Sequence, residues 1–408
     1  MHESANPATM LTQTHAKARG LADLPPVVND SLIALIGMVN ADPRPDKIDV
    51  GVGVFRDSAG NTPILKVMKE AEQRLLDTQK TKAYLGSSGD KRFAELLRPI
   101  LLGEHADDER IIGLQTPGGC GALRLGFELL AAANPQARVF LGTPTWPNHP
   151  PIVRAVGLEA VEYAYYERGQ AIIRFEDMIA ALSSGEAGDI ALLHGCCHNP
   201  TGADLSEDQW REVVRVVSDR GLIPLIDIAY QGFGRGLDED AFGVRLMLDA
   251  CDEMIVAQSC DKNFSCYRDR VGSLWVKTAS ADATKTAMAH VHQIAREMWS
   301  MPPDHGAAAV HIILEDEELH ARWVVELAAM RDRINSVRQR IAAADPRIAY
   351  IGRQYGMFSM LPLSKEQVLK LRSDEAIYMA ESGRFNVVGM GDSQIDRFIA
   401  AVVGALGA

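Results

Sequence analysis

Residues 254–270 read MIVAQSCDKNFSCYRDR: an apolar run, a lysine with an acid directly before it, a cysteine on either side, and an arginine eight positions on. The run has the length and composition of a buried strand, and Lys262 leaves its carboxyl end. Taken alone, Asp261 and Lys262 are solvated neighbours whose pairing is worth little energetically. Taken as one of several strand ends that carry reactive groups, Lys262 is the amine at the floor of a ligand site. The other strand ends decide between the two.

Short apolar runs alternate with amphipathic stretches through the middle of the chain, the pattern of a mostly parallel sheet covered by helices. The predicted strands are RVFLGTP (138–144), IALLHGC (190–196), LIPLIDI (222–228), MIVAQSC (254–260) and GSLWV (272–276). Ser206 and Gln209 form a capping-box pattern, Trp210, Val213, Val214 and Val217 make one apolar face, and Gly221 ends the helix. Leu319, Trp323, Leu327, Met330, Ile334, Val337 and Ile341 recur at three- and four-residue steps, which predicts a long helix leading into a smaller C-terminal domain.

At 408 residues the chain suggests two or three structural units, at a prior of about 150 residues each. A net charge of −12 with no Lys/Arg block argues against nucleic acid or an anionic membrane as partner, so a small-molecule ligand is expected. Six cysteines without CxxC or His/Cys metal spacing read as free thiols of a reducing compartment, and no metal is expected. No apolar run has the length to span a membrane. Residues 1–29 have no apolar signal core and read as a flexible leader, and the protein is read as cytoplasmic.

Three further stretches carry chemistry. TPGGCGALRLGFELL, from Thr116, sets glycines before a helix, either as plain loop geometry or as a cradle where backbone N–H groups meet a phosphate. LIDIAYQGF puts Asp227 near the end of a strand with Tyr230 three residues later, either a turn-forming acid or a ligand-facing one. HGCCHNPTG, from His194, is either a simple turn or a loop presenting the Asn199 amide. Lys262 leaves the same sheet edge as Asp227 and Asn199, where burial lowers an amine's pKa and makes it a nucleophile and base. Arg296 and Arg384 are of the residue type that grips carboxylates by a two-point fork.

In order, GVGVFRD (51), TKAYLG (81), TPGGCGALR (116), PTWPNH (144), LLHGCCHNPTG (192), DIAYQGF (227), KNF with Arg270 eight residues past the lysine, RxxxSxPP (296), GMFS (356) and SGRFNV (382) resemble the class I aminotransferases that use pyridoxal phosphate, in the branch of aspartate and aromatic amino acid aminotransferases. The resemblance runs from about Asp30 to the C-terminus. It implies the type I fold of pyridoxal-phosphate-dependent transferases, an α/β large domain over 63–324 with a mostly parallel seven-stranded sheet, and a smaller α+β domain from 30–62 and 325–408. It implies that Lys262 holds the cofactor as a Schiff base and shuttles the proton, that Asp227 pairs with the ring nitrogen, that Tyr230 and Asn199 hold the ring hydroxyl, and that Trp146 stacks on the ring.

By the same resemblance the phosphate meets Gly119, Cys120, Ser259, Arg270 and Tyr84 of the partner subunit. Arg384 takes the substrate α-carboxylate, and Arg296, also from across a homodimer interface, takes a side-chain carboxylate. Val52 and Gly53 resemble the segment that closes over the substrate, and Phe358 lines the pocket. His149 and His194 are expected to support Asp227 and Asn199, and Pro144 and Pro200 match positions of cis bonds. The implied reaction moves an amino group between an aromatic or aspartate-like L-amino acid and 2-oxoglutarate. A lyase or aspartate β-decarboxylase on the same cofactor, and a family member without catalysis, are the alternatives.

The sequence departs from the family at several positions. Cys120 stands where a hydroxyl is usual, and a thiol is a weaker donor. Asp261 stands where many members have serine, and a carboxylate facing the phosphate repels it unless it turns away or is protonated. Phe55, Ala83 and Met301 make the distal pocket larger or more apolar, which leans toward broad or aromatic specificity.

Overall fold

A computed structural model describes residues 20, 21, 24 and 31–407, so the leader read over residues 1–29 lies, apart from those three positions, outside the described residues. The alternating middle of the chain forms a seven-stranded sheet of β1 (Ile111–Pro117), β2 (Arg138–Thr143), β3 (Glu159–Ala164), β4 (Ile190–His194), β5 (Ile223–Ile228), β6 (Met254–Ser259) and β7 (Val271–Lys277), in the order β1-β7-β6-β5-β4-β2-β3. Strands β2 to β6 pair in parallel, and β7 runs antiparallel to both β6 and β1. The mostly parallel sheet expected from the sequence is the one observed.

Side chains alternate across each strand, and both faces are apolar. Leu225, Ile255 and Leu274 pack on one face with Leu123, Phe127 and Leu130 of α1 (Gly118–Ala133). Ile226, Val256 and Trp275 point to the other, where Trp210, Val213 and Val217 of α2 (Glu207–Arg220) belong to the cluster. The capping box of α2 forms as read: Ser206 Oγ accepts from the Gln209 N–H at 3.2 Å, Gln209 Oε1 accepts from the Ser206 N–H at 3.0 Å, and Gly221 closes the helix at φ 67°. Pro224 is tolerated inside central β5 because pairing with β6 begins only at Leu225.

Two strands of this sheet escaped the sequence reading. β1 carries Gly113, where a Cβ would lie 2.4 Å from the Trp275 ring, and fully buried Gln115 and Thr116, so its polar letters hide a core strand. β3 is an edge strand with exposed glutamates, and of its residues only Tyr163 is buried. The glycines of TPGGCG differ from expectation too: α1 begins at Gly118, so they form its first turn and do not precede it.

Helix α3 (Ala281–Met298) covers the sheet beside α1. Helix α4 (Glu317–Ala342) buries every residue of the predicted stripe, and Arg338 besides. Beyond it the chain meets its own N-terminal part: Ile48–Asp49 pairs in parallel with Ile377–Tyr378, while Phe358–Met360 pairs antiparallel with Arg384–Asn386. Asn386 Nδ2 donates to the carbonyls of Val52 and Val54 at 2.8 and 2.7 Å, fixing the segment that carries Gly53. Among the described residues no helix is long and apolar enough to cross a membrane.

Candidate active site

Because β4, β5 and β6 are parallel neighbours, their carboxyl ends open on one edge, with His194 level with Asp227 and Asp227 level with Ala257. There a cleft of about 500 Å³ is lined by Gly119, Cys120, Trp146, Asn199, Asp227, Tyr230, Ser259, Lys262 and Arg270, together with Leu123, His194, Cys196 and Ala229. Residues drawn from five separate stretches of sequence thus converge on one cavity.

Asp227 is buried and its Oδ2 lies 3.0 Å from Nε2 of fully buried His149. Burial works to raise its carboxyl pKa, but the His149 hydrogen bond and the neighbouring charges, Lys262 among them, outweigh it and hold it below the ordinary carboxylate value. Thr145 Oγ1 sits between His149 Nδ1 at 2.8 Å and His194 Nε2 at 3.0 Å. His194 therefore backs His149 through the threonine hydroxyl, where support of Asn199 was expected. Burial pushes His194 down to about 3 and His198, stacked on Tyr165 at 4.2 Å, well below its ordinary value, so both rings are neutral.

Lys262 Nζ donates to Ser259 Oγ at 3.4 Å and lies 5.4 Å from the centre of the Tyr230 ring. Burial lowers its pKa below that of an ordinary lysine, against the pull of Asp261 and Asp227. Asp261 has turned away from the cleft: its Oδ2 pairs with Arg270 Nη1 and its Oδ1 accepts from the Val271 N–H at 2.8 Å. Cys120 Sγ accepts from Asn148 Nδ2 at 3.4 Å, and burial raises its thiol pKa, which keeps it protonated.

A second cluster adjoins the cleft. Arg384 is buried, donates from Nη2 to the Gly51 carbonyl at 2.6 Å, and has its Cζ 4.8 Å from the centre of the Phe358 ring. Phe358 meets Tyr230 edge-on at 6.1 Å, and a Cβ on Gly53 would come 2.8 Å from the Phe358 ring. Tyr84, 91% exposed, and Arg296, on the exposed last turn of α3, do not line the cleft. The bonds before Pro144 and Pro200 are cis.

A family model described as aminotransferase class I and II matches residues 45–402. The chain belongs to this family. It is 45% identical over 366 residues to the tyrosine aminotransferase of Rhizobium meliloti, covering 89% of this chain and 94% of the relative. It is 42% identical over 386 residues to the aspartate aminotransferase of Salmonella typhi, covering 92% of this chain and 98% of the relative. Among solved structures it resembles an aromatic-amino-acid aminotransferase of Burkholderia pseudomallei covalently bound to pyridoxal phosphate, with a TM-score of 0.90, 37% identity, and coverage of 94% of this chain and 98% of that one. The protein is an aminotransferase with the type I fold.

Several residues of this aminotransferase's site were not singled out in its sequence. Thr145 and Asn148 lay inside the PTWPNH motif, and their bonds to His149 and Cys120 were the missing signal. Asn386 lay inside SGRFNV, two residues past Arg384, on the same short strand.

Proposed function

We propose that this aminotransferase moves the amino group of an aromatic or aspartate-like L-amino acid to 2-oxoglutarate, with Lys262 as the amine that holds the cofactor and moves the proton. The cofactor is pyridoxal phosphate, which supplies a carbonyl that accepts the amino group and a protonated ring that draws electrons from the substrate Cα. The observation that carries the reading is the convergence of a depressed-pKa lysine, an ionised buried aspartate and an arginine beside a helix N-terminus on one cleft.

The residues present fit that cofactor. At one end the glycine turn of α1, Ser259 and Arg270 make an anion corner, where a Cβ on Gly119 would come 2.9 Å from that of Ser259. At the other, ionised Asp227 suits a protonated ring nitrogen. Between them Asn199 Oδ1 is buried without a hydrogen-bond partner, a polar group directed to a ligand.

In this reading Asp227, held by His149, would keep the ring nitrogen protonated, Asn199 and Tyr230 would hold the ring hydroxyl, and Trp146 would stack on the ring. Lys262 Nζ would hold the cofactor and, its lowered pKa favouring the basic form, would take the proton from the substrate Cα and deliver it to the cofactor carbon that receives the amino group. Arg384 binds the α-carboxylate beside Phe358 and Gly53. Tyr84 and Arg296, exposed and outside the cleft of their own chain, serve the site of a partner subunit in a homodimer. Residues 30–62 and 325–408 form a small domain over a large one at 63–324, which the pairing of Ile48–Asp49 with Ile377–Tyr378 supports. Six free cysteines support a reducing, cytoplasmic setting.

Relatives named for tyrosine and for aspartate support a dual substrate range. Initial rates with tyrosine, phenylalanine, aspartate and a neutral aliphatic amino acid, each with 2-oxoglutarate, test it. The aromatic acids and aspartate are expected to exceed the aliphatic one, and Arg296→Ala to cut kcat/KM for aspartate by about 10²-fold while sparing tyrosine. A preference for the aliphatic acid would overturn the assignment.

A further inference from the structure

The acid beside Lys262 does not line the cleft but pairs with Arg270, which does, at the corner where the cofactor's phosphate is expected. Asp261 is only 1% exposed, yet it does not pair with its neighbour. It takes Nη1 of Arg270 on one oxygen and the Val271 N–H on the other, and its own N–H donates to Ser259 Oγ at 3.3 Å. Arg270 holds φ 57°, a left-handed conformation that a non-glycine residue adopts only when its surroundings fix it. Gly118, at φ 69°, closes the same corner: a Cβ there would lie 2.5 Å from Arg270 Nη2 and 3.0 Å from Asp261 Oδ2. Guanidinium and helix start therefore form one corner of the cleft, and the carboxylate grips that guanidinium without itself lining the cleft.

A guanidinium without an acidic partner offers an incoming anion its whole charge and both outer nitrogens. Here one nitrogen and much of the charge are already engaged, while the Arg270 side chain remains 44% exposed. We propose that Asp261 is an internal anion that competes with the cofactor's phosphate for Arg270, fixing the guanidinium so that Nη2 faces the glycine turn and weakening the phosphate grip. Asp261 is thus a positioning residue that acts through Arg270 and sets how readily the cofactor exchanges. The inference rests on the cofactor reading of the same cleft.

Binding to the full-length protein, resolved from its cofactor, tests it in wild type, Asp261→Asn and Asp261→Ser. The probes are pyridoxal phosphate, pyridoxal, which lacks the phosphate, and inorganic phosphate read by thermal shift. Both variants are expected to bind pyridoxal phosphate about tenfold more tightly, the effect of removing one nearby like charge, and to be stabilised more by inorganic phosphate, with pyridoxal affinity unchanged. The asparagine variant keeps the side chain's shape, so it separates charge from packing and decides the matter if the serine variant folds poorly. Unchanged or weaker binding of pyridoxal phosphate, or equal tightening of pyridoxal, overturns the proposal. Wild-type protein that takes up neither aldehyde would instead overturn the cofactor reading itself.

Discussion

Asp227 is kept ionised in a buried place by a hydrogen bond that reaches it from His149, whose ring is fixed in turn by Thr145. Asp227→Asn keeps the side chain's size and removes its charge. It is expected to lower kcat by about 10²- to 10³-fold, the usual cost of losing one preorganised electrostatic partner, while the protein still takes up the cofactor. Steady-state kinetics and cofactor absorbance check this, and a kcat within a few-fold of wild type would contradict it. At this scale the sequence was legible where a side chain's place follows from its strand end, as for Asp227, Asn199 and Lys262, which line one cleft. It was illegible where the role depends on a partner brought in by a turn. Asp261 reads as a carboxylate facing the phosphate directly until the chain doubles back and sets Arg270 against it, so that it acts through the guanidinium.

The end of β4 and the loop that follows it carry His194 and His198, two imidazoles neutral by burial. Their pKa values are depressed, so below about 6.5 the unfolded chain takes up protons that the folded chain refuses. His194 thus costs stability as pH falls from 6.5 toward 3, at up to about 1.4 kcal/mol per pH unit, and His198 acts in the same direction. Asp204, pushed by burial to about 6, works in the opposite direction between that pH and the ordinary carboxylate range. The diagnostic is therefore a difference: chemical denaturation of His198→Asn should lose less stability between pH 7 and 5 than wild type does. Parallel pH profiles would contradict it. The elements themselves were legible where periodicity was strong, as in α2 and α4. β1 was hidden because its buried Gln115 is satisfied by the Pro303 carbonyl at 2.6 Å and the Asp90 N–H at 2.8 Å, partners remote in sequence. Arg338, read as a polar letter in α4, is buried by donating to the carbonyls of Ile351, Tyr355, Gly356 and Phe358, which fixes the chain leading to Phe358.

For the whole molecule, one chain builds the cofactor cleft but leaves Tyr84 and Arg296 outside it. If two chains share their sites, mixing Lys262→Ala and Arg296→Ala subunits creates heterodimers with one intact site each. Random reassortment should then restore roughly a quarter of wild-type aspartate turnover, where neither parent is active. Purely additive, near-zero activity after mixing would contradict shared sites. The ordered motifs conveyed fold and activity because both depend on residues at fixed strand ends, whereas the proposed subunit sharing depends on a surface that no single-chain pattern spells out. The central claim is amino-group transfer through Lys262. The measurement that tests it most directly is a single half-reaction, in which cofactor-loaded protein is mixed with glutamate and no 2-oxo acid. The account predicts conversion of the cofactor to its amine form with one 2-oxoglutarate released per subunit, reversal on adding a 2-oxo acid, and neither event in Lys262→Ala. An unchanged cofactor spectrum in wild type, or full conversion in the Lys262→Ala protein, would contradict it.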